Sequence, residues 1–502
     1  MAESSRRWTL WSRSGYRGPS DLSPHHTGFA SPPPADAPPV PAPAAPGSFS
    51  ALVAPATAVP ATVPATVPAM SAQPAMRPAV RAAAAGASLI DQIIDARAVQ
   101  MQFQAVHDAD SAQVVAFEAL ARGPAGPLHS PLQLLSAARA VGRLGELDWV
   151  CRTAAFRAML DAGLPSSVSL LVNVESDSLI EPCPPDLLPI VAEAERKLRV
   201  FVDLSGRAVS RYPCQALETA RRARAANWGV AINDVEFSAG GAALLPTLEP
   251  DVVKLNHHLI ASGLPQANAA LLAAIGEAER TGAAVLVEQV ETTDAAMVAR
   301  AAGARYQQGH LFGTPGGLPA HLPQPVAPLP LLHEDGAPTA ATPWEILVER
   351  GARSIAEVGQ AGLDHLIMAT ATQVTGGDQP PVAALVTPAG AEFEPARQAM
   401  FAMLLERCPL IIALGQHVAA WNDWRVRAAD LTPGHPLTDE TCFALLSPSV
   451  AVVVAARQRQ AHRGTPEVWD VAVSQSPDRC RAVMRQLLAT VDTLAGGVHS
   501  YW

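Results

Sequence analysis

Short apolar, β-prone runs recur along the middle of this chain: Ser169–Val174, Val200–Leu204, Gly229–Asn233, Val252–Leu255 and Ala284–Val287. Between them lie amphipathic, Ala-rich stretches such as Cys214–Ala226 and Ala267–Thr281. Strands alternating with helices predict a parallel α/β fold. Five or more such units between residues 89 and 318 favour a closed barrel over an open sheet.

The pattern breaks on both sides of this region. Residues 1–88 are dominated by Pro, Ala and Ser, with imperfect repeats such as Val59-Pro60-Ala61-Thr62-Val63-Pro64. Proline removes backbone donors and alanine has little surface to bury, so a disordered tail is expected, with Trp8, Trp11 and Tyr16 as stray aromatics. Residues 319–342 carry Pro319, Pro323, Pro325, Pro328 and Pro330 and read as a linker. Residues 343–495 then form a smaller α/β segment. Its expected helices are Arg397–Arg407 and Pro477–Leu494, and its expected strands Val382–Val386, Leu410–Leu414 and Val450–Ala455.

Aromatic residues are only 5% of a composition that is 49% hydrophobic, so the cores must be built mainly from Ala, Val and Leu. A formal charge of -10 argues against non-specific nucleic-acid binding, which needs a basic surface. The six cysteines form no C-x-x-C pair and read as reduced structural thiols. No apolar run approaches the roughly 20 residues that span a bilayer, and a cytoplasmic location is expected.

A barrel places its chemistry at strand ends. Those ends carry Glu118 and Arg122, Asn173, Asp203, Asn233 with Asp234, Lys254, Glu288 and Gln308. Acidic and amide oxygens with one lysine and one arginine suit hard divalent cations and a phosphate ester. Any one of them alone is more often a helix cap or a surface group. His257-His258 reads as a solvated helix start, and Trp421-Asn422-Asp423-Trp424 as core packing.

Together and in this order the strand ends resemble the EAL family of cyclic di-GMP phosphodiesterases. Glu118-Ala119-Leu120-Ala121-Arg122 resembles the signature that names the family, and Leu171-Val172-Asn173-Val174 its asparagine strand. Asp234 and Lys254 resemble the acid and lysine of its next two strands. Val287-Glu288-Gln289-Val290-Glu291 and Gln308-Gly309-His310-Leu311-Phe312 are similar to its later motifs, and Phe103-Gln104-Ala105-Val106 to its first strand. The likeness covers residues 89–318. It implies a (β/α)8-type, TIM-like barrel that cleaves cyclic di-GMP to linear pGpG with Mg²⁺ or Mn²⁺. Carried over, Glu118, Asn173, Asp203, Asp234 and Glu288 would be metal ligands. Lys254, Glu288 and Gln308 would be catalytic, and Arg122 and Gln104 would contact the ligand. Residues 343–495 resemble the DICT family of sensory modules, which implies regulation.

Three departures fall at the chemistry. Asn233 stands in place of the first of the family's paired aspartates, Gly206 in place of a loop-anchoring glutamate, and Asn256 in place of another acid. All three subtract anionic or loop-fixing capacity. The expectation is a degenerate EAL domain that binds nucleotide or regulates, with weak or no hydrolysis and a weakly bound or missing metal. The alternatives are an active Mg- or Mn-dependent phosphodiesterase and a scaffold that does not bind the nucleotide. Cyclic di-GMP is the expected partner, and a protein partner and a homodimer stay open.

Overall fold

The computed structural model describes residues 88–495, apart from 176–177, 180, 235–238, 263–264, 326, 333–341, 376–379, 388–394, 422 and 460–467. The stretch expected to be a disordered tail lies outside the described residues except for its last position, Ser88, which caps the first helix.

Eight strands close into a barrel in chain order: β1 (Gln100–Asp108), β2 (Val114–Arg122), β3 (Ser169–Val174), β4 (Arg199–Ser205), β5 (Gly229–Asn233), β6 (Val252–Asn256), β7 (Ala284–Glu288) and β8 (Tyr306–Gln307). Val202, Val230, Ile232, Val253 and Leu286 are completely buried. Strands covered on both faces read as continuous apolar runs, which is why they were visible in the sequence.

The barrel is not wholly parallel. β1 runs antiparallel to both β2 and β8, while β2 through β8 are parallel. The cause is local: residues 109–113 are too few for the crossover that parallel neighbours need. Asp108 closes the hairpin instead, its Oδ1 accepting the N–H groups of Asp110 and Ser111 at 2.9 Å.

Ten helices flank these strands: α1 (Leu89–Asp95), α2 (Pro131–Ala140), α3 (Leu144–Ala162), α4 (Leu188–Lys197), α5 (Gly206–Arg211), α6 (Pro213–Ala225), α7 (Ala239–Leu248), α8 (His257–Ser262), α9 (Pro265–Thr281) and α10 (Thr293–Ala301). Hydroxyls set several of their starts. Ser130, Ser205 and Thr292 each accept the N–H three residues on, capping α2, α5 and α10.

The Pro-rich stretch expected to be a linker packs against the barrel. Leu329 is 0% exposed, among Leu171, Phe201 and Tyr306 at the end of the barrel away from the strand C-termini. Arg199 donates to the Leu329 carbonyl, and the Leu332 N–H donates to Asp251 Oδ1 at 2.6 Å. These contacts seal that mouth.

The C-terminal segment contains α11 (Pro343–Glu349), β9 (Ser354–Gly359), α12 (Gln360–Ala371), β10 (Val382–Val386), α13 (Pro395–Arg407), β11 (Ile411–Gly415), β12 (Val426–Asp430), β13 (Glu440–Leu446), β14 (Ala451–Gln458), β15 (Val468–Ser474) and α14 (Pro477–Leu494). Its seven strands form one sheet in the order β12-β11-β10-β13-β14-β15-β9. β10, β11 and β12 are parallel and the other pairs antiparallel. Cys480, Val483, Met484, Leu487 and Val491 of α14 are buried in a core continuous with that of the barrel. All six cysteines are free thiols. Among the described residues, no helix is long and apolar enough to cross a membrane.

Candidate functional site

Lys254, near the end of β6, is the centre of the polar cluster inside the barrel, with 1% of its surface exposed. Its Nζ lies 2.5 Å from Asp203 Oδ2 on β4, 2.5 Å from Glu288 Oε1 on β7 and 3.3 Å from Glu118 Oε1 on β2. Burial works against the ammonium, but the three carboxylates outweigh it and hold the Lys254 pKa well above its ordinary value. The carboxylates respond unequally. Burial pushes Glu288 up to about 8 and also raises Asp203, despite the lysine. Burial opposes the charge of Glu118 too, yet Lys254, Asn173 and Gln308 together hold it below the ordinary range.

Amides complete the network. Asn173 Nδ2 donates to Glu118 Oε1 at 3.1 Å, and Gln308 Nε2 to Glu118 Oε2 at 2.8 Å and to Gln104 Oε1 at 3.3 Å. Gln308 is fixed by a close backbone approach: a Cβ on the next residue, Gly309, would lie 2.0 Å from the Val290 carbonyl oxygen. Only glycine fits there. Asn233 Nδ2 donates to Asp203 Oδ1 at 2.9 Å, and its buried Oδ1 has no hydrogen-bond partner among the described residues.

The structure thus brings Gln104, Glu118, Asn173, Asp203, Asn233, Lys254, Glu288 and Gln308 into one connected set. The remaining positions behave differently. Asp234 follows β5 with a left-handed φ of 51° and has no hydrogen-bond partner among the described residues. Arg122 donates to the Ala121 carbonyl at 2.9 Å. Asn256 Oδ1 accepts the His258 N–H at 2.9 Å at the start of α8. Gly206 opens α5 and lies against α7, where a Cβ on Gly241 would meet the Gly206 carbonyl oxygen at 2.9 Å.

The oxygen-rich donor set suits a hard cation in kind, but not in arrangement. Among the described residues, no group of three or more His, Cys, Asp or Glu side chains is placed to hold a metal ion. The Lys254 ammonium already holds the three carboxylates, and Asn233 turns an N–H toward Asp203. In this arrangement the described residues do not present sites for a pair of divalent ions.

Beside the cluster lies a pocket of about 210 Å³, reached by Arg122, Asn173, Asp203 and Asn233 and walled by α2 and α3. Sequence reasoning missed that wall. Arg152 donates to Asp148 Oδ2 at 2.7 Å beneath the Trp149 ring, its guanidinium 3.6 Å from the ring centre, and Ser178 Oγ donates to the same carboxylate at 2.8 Å. The available signal was an acid and an arginine four apart on one helix.

Asn233→Asp tests the cluster. It replaces the donor to Asp203 with a second carboxylate, so the metal-free protein should unfold at a lower temperature. Mn²⁺ affinity should rise, by roughly tenfold for a gain of about 1.4 kcal/mol. Calorimetric Mn²⁺ titration of both forms is the measurement, and unchanged affinity would show that cations do not bind here.

Residues 88–315 match the family model described as the EAL domain. An uncharacterized protein of Azorhizobium caulinodans is 28% identical over 251 residues, a match that covers 46% of this chain and only 33% of the relative. Among solved structures, the FimX EAL domain from Pseudomonas aeruginosa bound to c-di-GMP is 22% identical, covering 45% of this chain and 93% of that one with a TM-score of 0.39. A Klebsiella pneumoniae BlrP1 manganese/c-di-GMP complex is 25% identical, covering 44% and 56% with a TM-score of 0.38.

Proposed function

We propose that the EAL domain of this chain binds cyclic di-GMP as a signalling ligand and hydrolyses it weakly or not at all. The observation that carries this reading is the closed charge network at the strand ends. Lys254 occupies the centre of Glu118, Asp203 and Glu288, and Asn233 donates an amide where an active site of this kind would present a carboxylate. A metal-dependent hydrolase uses bound cations to lower the pKa of water and to stabilise the charge of the transferring phosphoryl group. Here the acidic oxygens are committed to an ammonium and to amides. Ligand contacts are affected less. Arg122 remains at the mouth as a cation for a phosphate, and the adjoining pocket of about 210 Å³ has room for part of a dinucleotide. Residues 343–495 fit a sensory or regulatory role of the DICT type.

Calorimetric titration of the full chain with cyclic di-GMP, in EDTA and again in Mn²⁺, tests the binding half of this proposal. Saturable binding of similar affinity in both is expected, because the ligand contacts do not depend on a cation. Binding seen only with Mn²⁺ would favour an active phosphodiesterase. No binding in either would favour a scaffold.

A further inference from the structure

A second charged site lies outside the barrel mouth. Between α6 and α7 of the barrel and β12 and α14 of the C-terminal segment is a cleft of about 190 Å³. Five arginines line it, Arg221, Arg224, Arg427, Arg481 and Arg485, against two acids, Glu249 and Asp492. The arginines still outnumber the acids in a protein of net charge -10, although Arg427 pairs with Asp492, Arg485 with Glu249 at 2.7 Å and Arg221 with Glu218 at 2.6 Å. Glu218 and Glu277 sit behind the arginines, but each is shared with an arginine outside the cleft, Arg222 and Arg280. Arg224 gives its guanidinium to the carbonyls of Leu248 and Glu249, at 2.6 and 2.7 Å.

Two buried polar groups in this cleft lack hydrogen-bond partners among the described residues. The Arg481 side chain is 9% exposed and reaches Glu277 through Nη2 at 3.1 Å, while its Nε makes no hydrogen bond and lies 3.7 Å from Glu249. Thr247, 8% exposed on α7, has a buried hydroxyl with no partner. Buried donors are normally satisfied, so two on one cleft wall mark a place where an acceptor belongs. Pro246, Met484 and Leu488 supply an apolar wall beside them.

We infer that this cleft binds a small phosphomonoester, of about the size of a pentose phosphate. The guanidinium fork matches phosphate oxygens in paired hydrogen bonds, Thr247 adds a hydroxyl donor, and the apolar wall takes the carbon body. The position gives such a ligand a consequence. It would touch α7, the helix that follows β5 with Asn233 and Asp234, and α14, which packs on the sheet, so its occupancy would bear on both domains. This inference does not rest on cyclic di-GMP binding in the barrel.

The test uses the full chain, with ribose 5-phosphate as probe, and inorganic phosphate and uncharged ribose beside it at matched ionic strength. Thermal shift and calorimetry should show saturable binding of ribose 5-phosphate, weaker binding of phosphate and none of ribose. Thr247→Val and Arg485→Met should each weaken the sugar phosphate at least tenfold. Arg485 is exposed and Thr247→Val keeps the side-chain volume, so both variants should fold even if Arg481→Met, which leaves Glu277 with Arg280 as its remaining counter-charge, does not. Failure of ribose 5-phosphate to bind at millimolar concentration, or binding unchanged in both variants, would overturn the assignment.

Discussion

Lys254→Met should lower the unfolding midpoint of the chain by about 10 °C in metal-free buffer. The ammonium is the counter-charge within 3.3 Å of three carboxylates, of which Glu118 and Asp203 are buried and Glu288 half-buried. Removing one partner of a buried ion pair leaves uncompensated charge and costs about 3–5 kcal/mol. For a domain of this size each kcal/mol is worth roughly 2–4 °C. Part of the loss should return when Mn²⁺ is added to the variant, because a cation can then take the place of the ammonium, whereas the parent protein should respond much less. Melting curves followed by circular dichroism, with and without Mn²⁺, measure both effects. An unchanged midpoint in the variant would mean that Lys254 is not the group that neutralises this site.

The second large effect is expected far from the cluster. Leu329→Ala should cost about 3 kcal/mol, within the range for truncating a buried leucine. Leu329 is completely buried at the sealed mouth, and the cavity left there would be walled by β-strands that cannot easily close in. A chain that ends at residue 320 should be destabilised further, since it also loses the Leu332 N–H bond to Asp251 and the contact from Arg199. Comparing chains that end at 320 and at 332 by urea denaturation tests this. Equal midpoints would return the Pro-rich stretch to the role of a free linker.

How much of this was legible depended on whether neighbours along the chain or across the fold set the outcome. β3 and β5 match their expected bounds, and β4, β6 and β7 lie within a residue or two of theirs, because a strand buried on both faces shows as an apolar run. The hairpin of β1 and β2 was not foreseen, since its direction is set by a short turn at Asp108 and not by apolar pattern. In the C-terminal sheet, β9, β12, β13 and β15 were missed. β12 is only half-buried along most of its length, and β13 opens on Glu440, whose charge is held by Thr342 and Arg457 from elsewhere in the fold. Leu329 was hidden by its prolines. At the site, the residue types and their strand-end positions were readable. That Lys254 would gather three acids, and that Asn256 would cap α8, depended on distances no sequence displays.

Retention of the nucleotide with little or no cleavage can be read from one short incubation. An excess of the full chain is held with cyclic di-GMP and Mn²⁺, passed through an ultrafilter, and the nucleotide in both fractions is identified by chromatography. Mostly intact cyclic di-GMP should be kept back with the protein. Complete conversion to pGpG within minutes, or intact nucleotide passing freely into the filtrate, would contradict that reading.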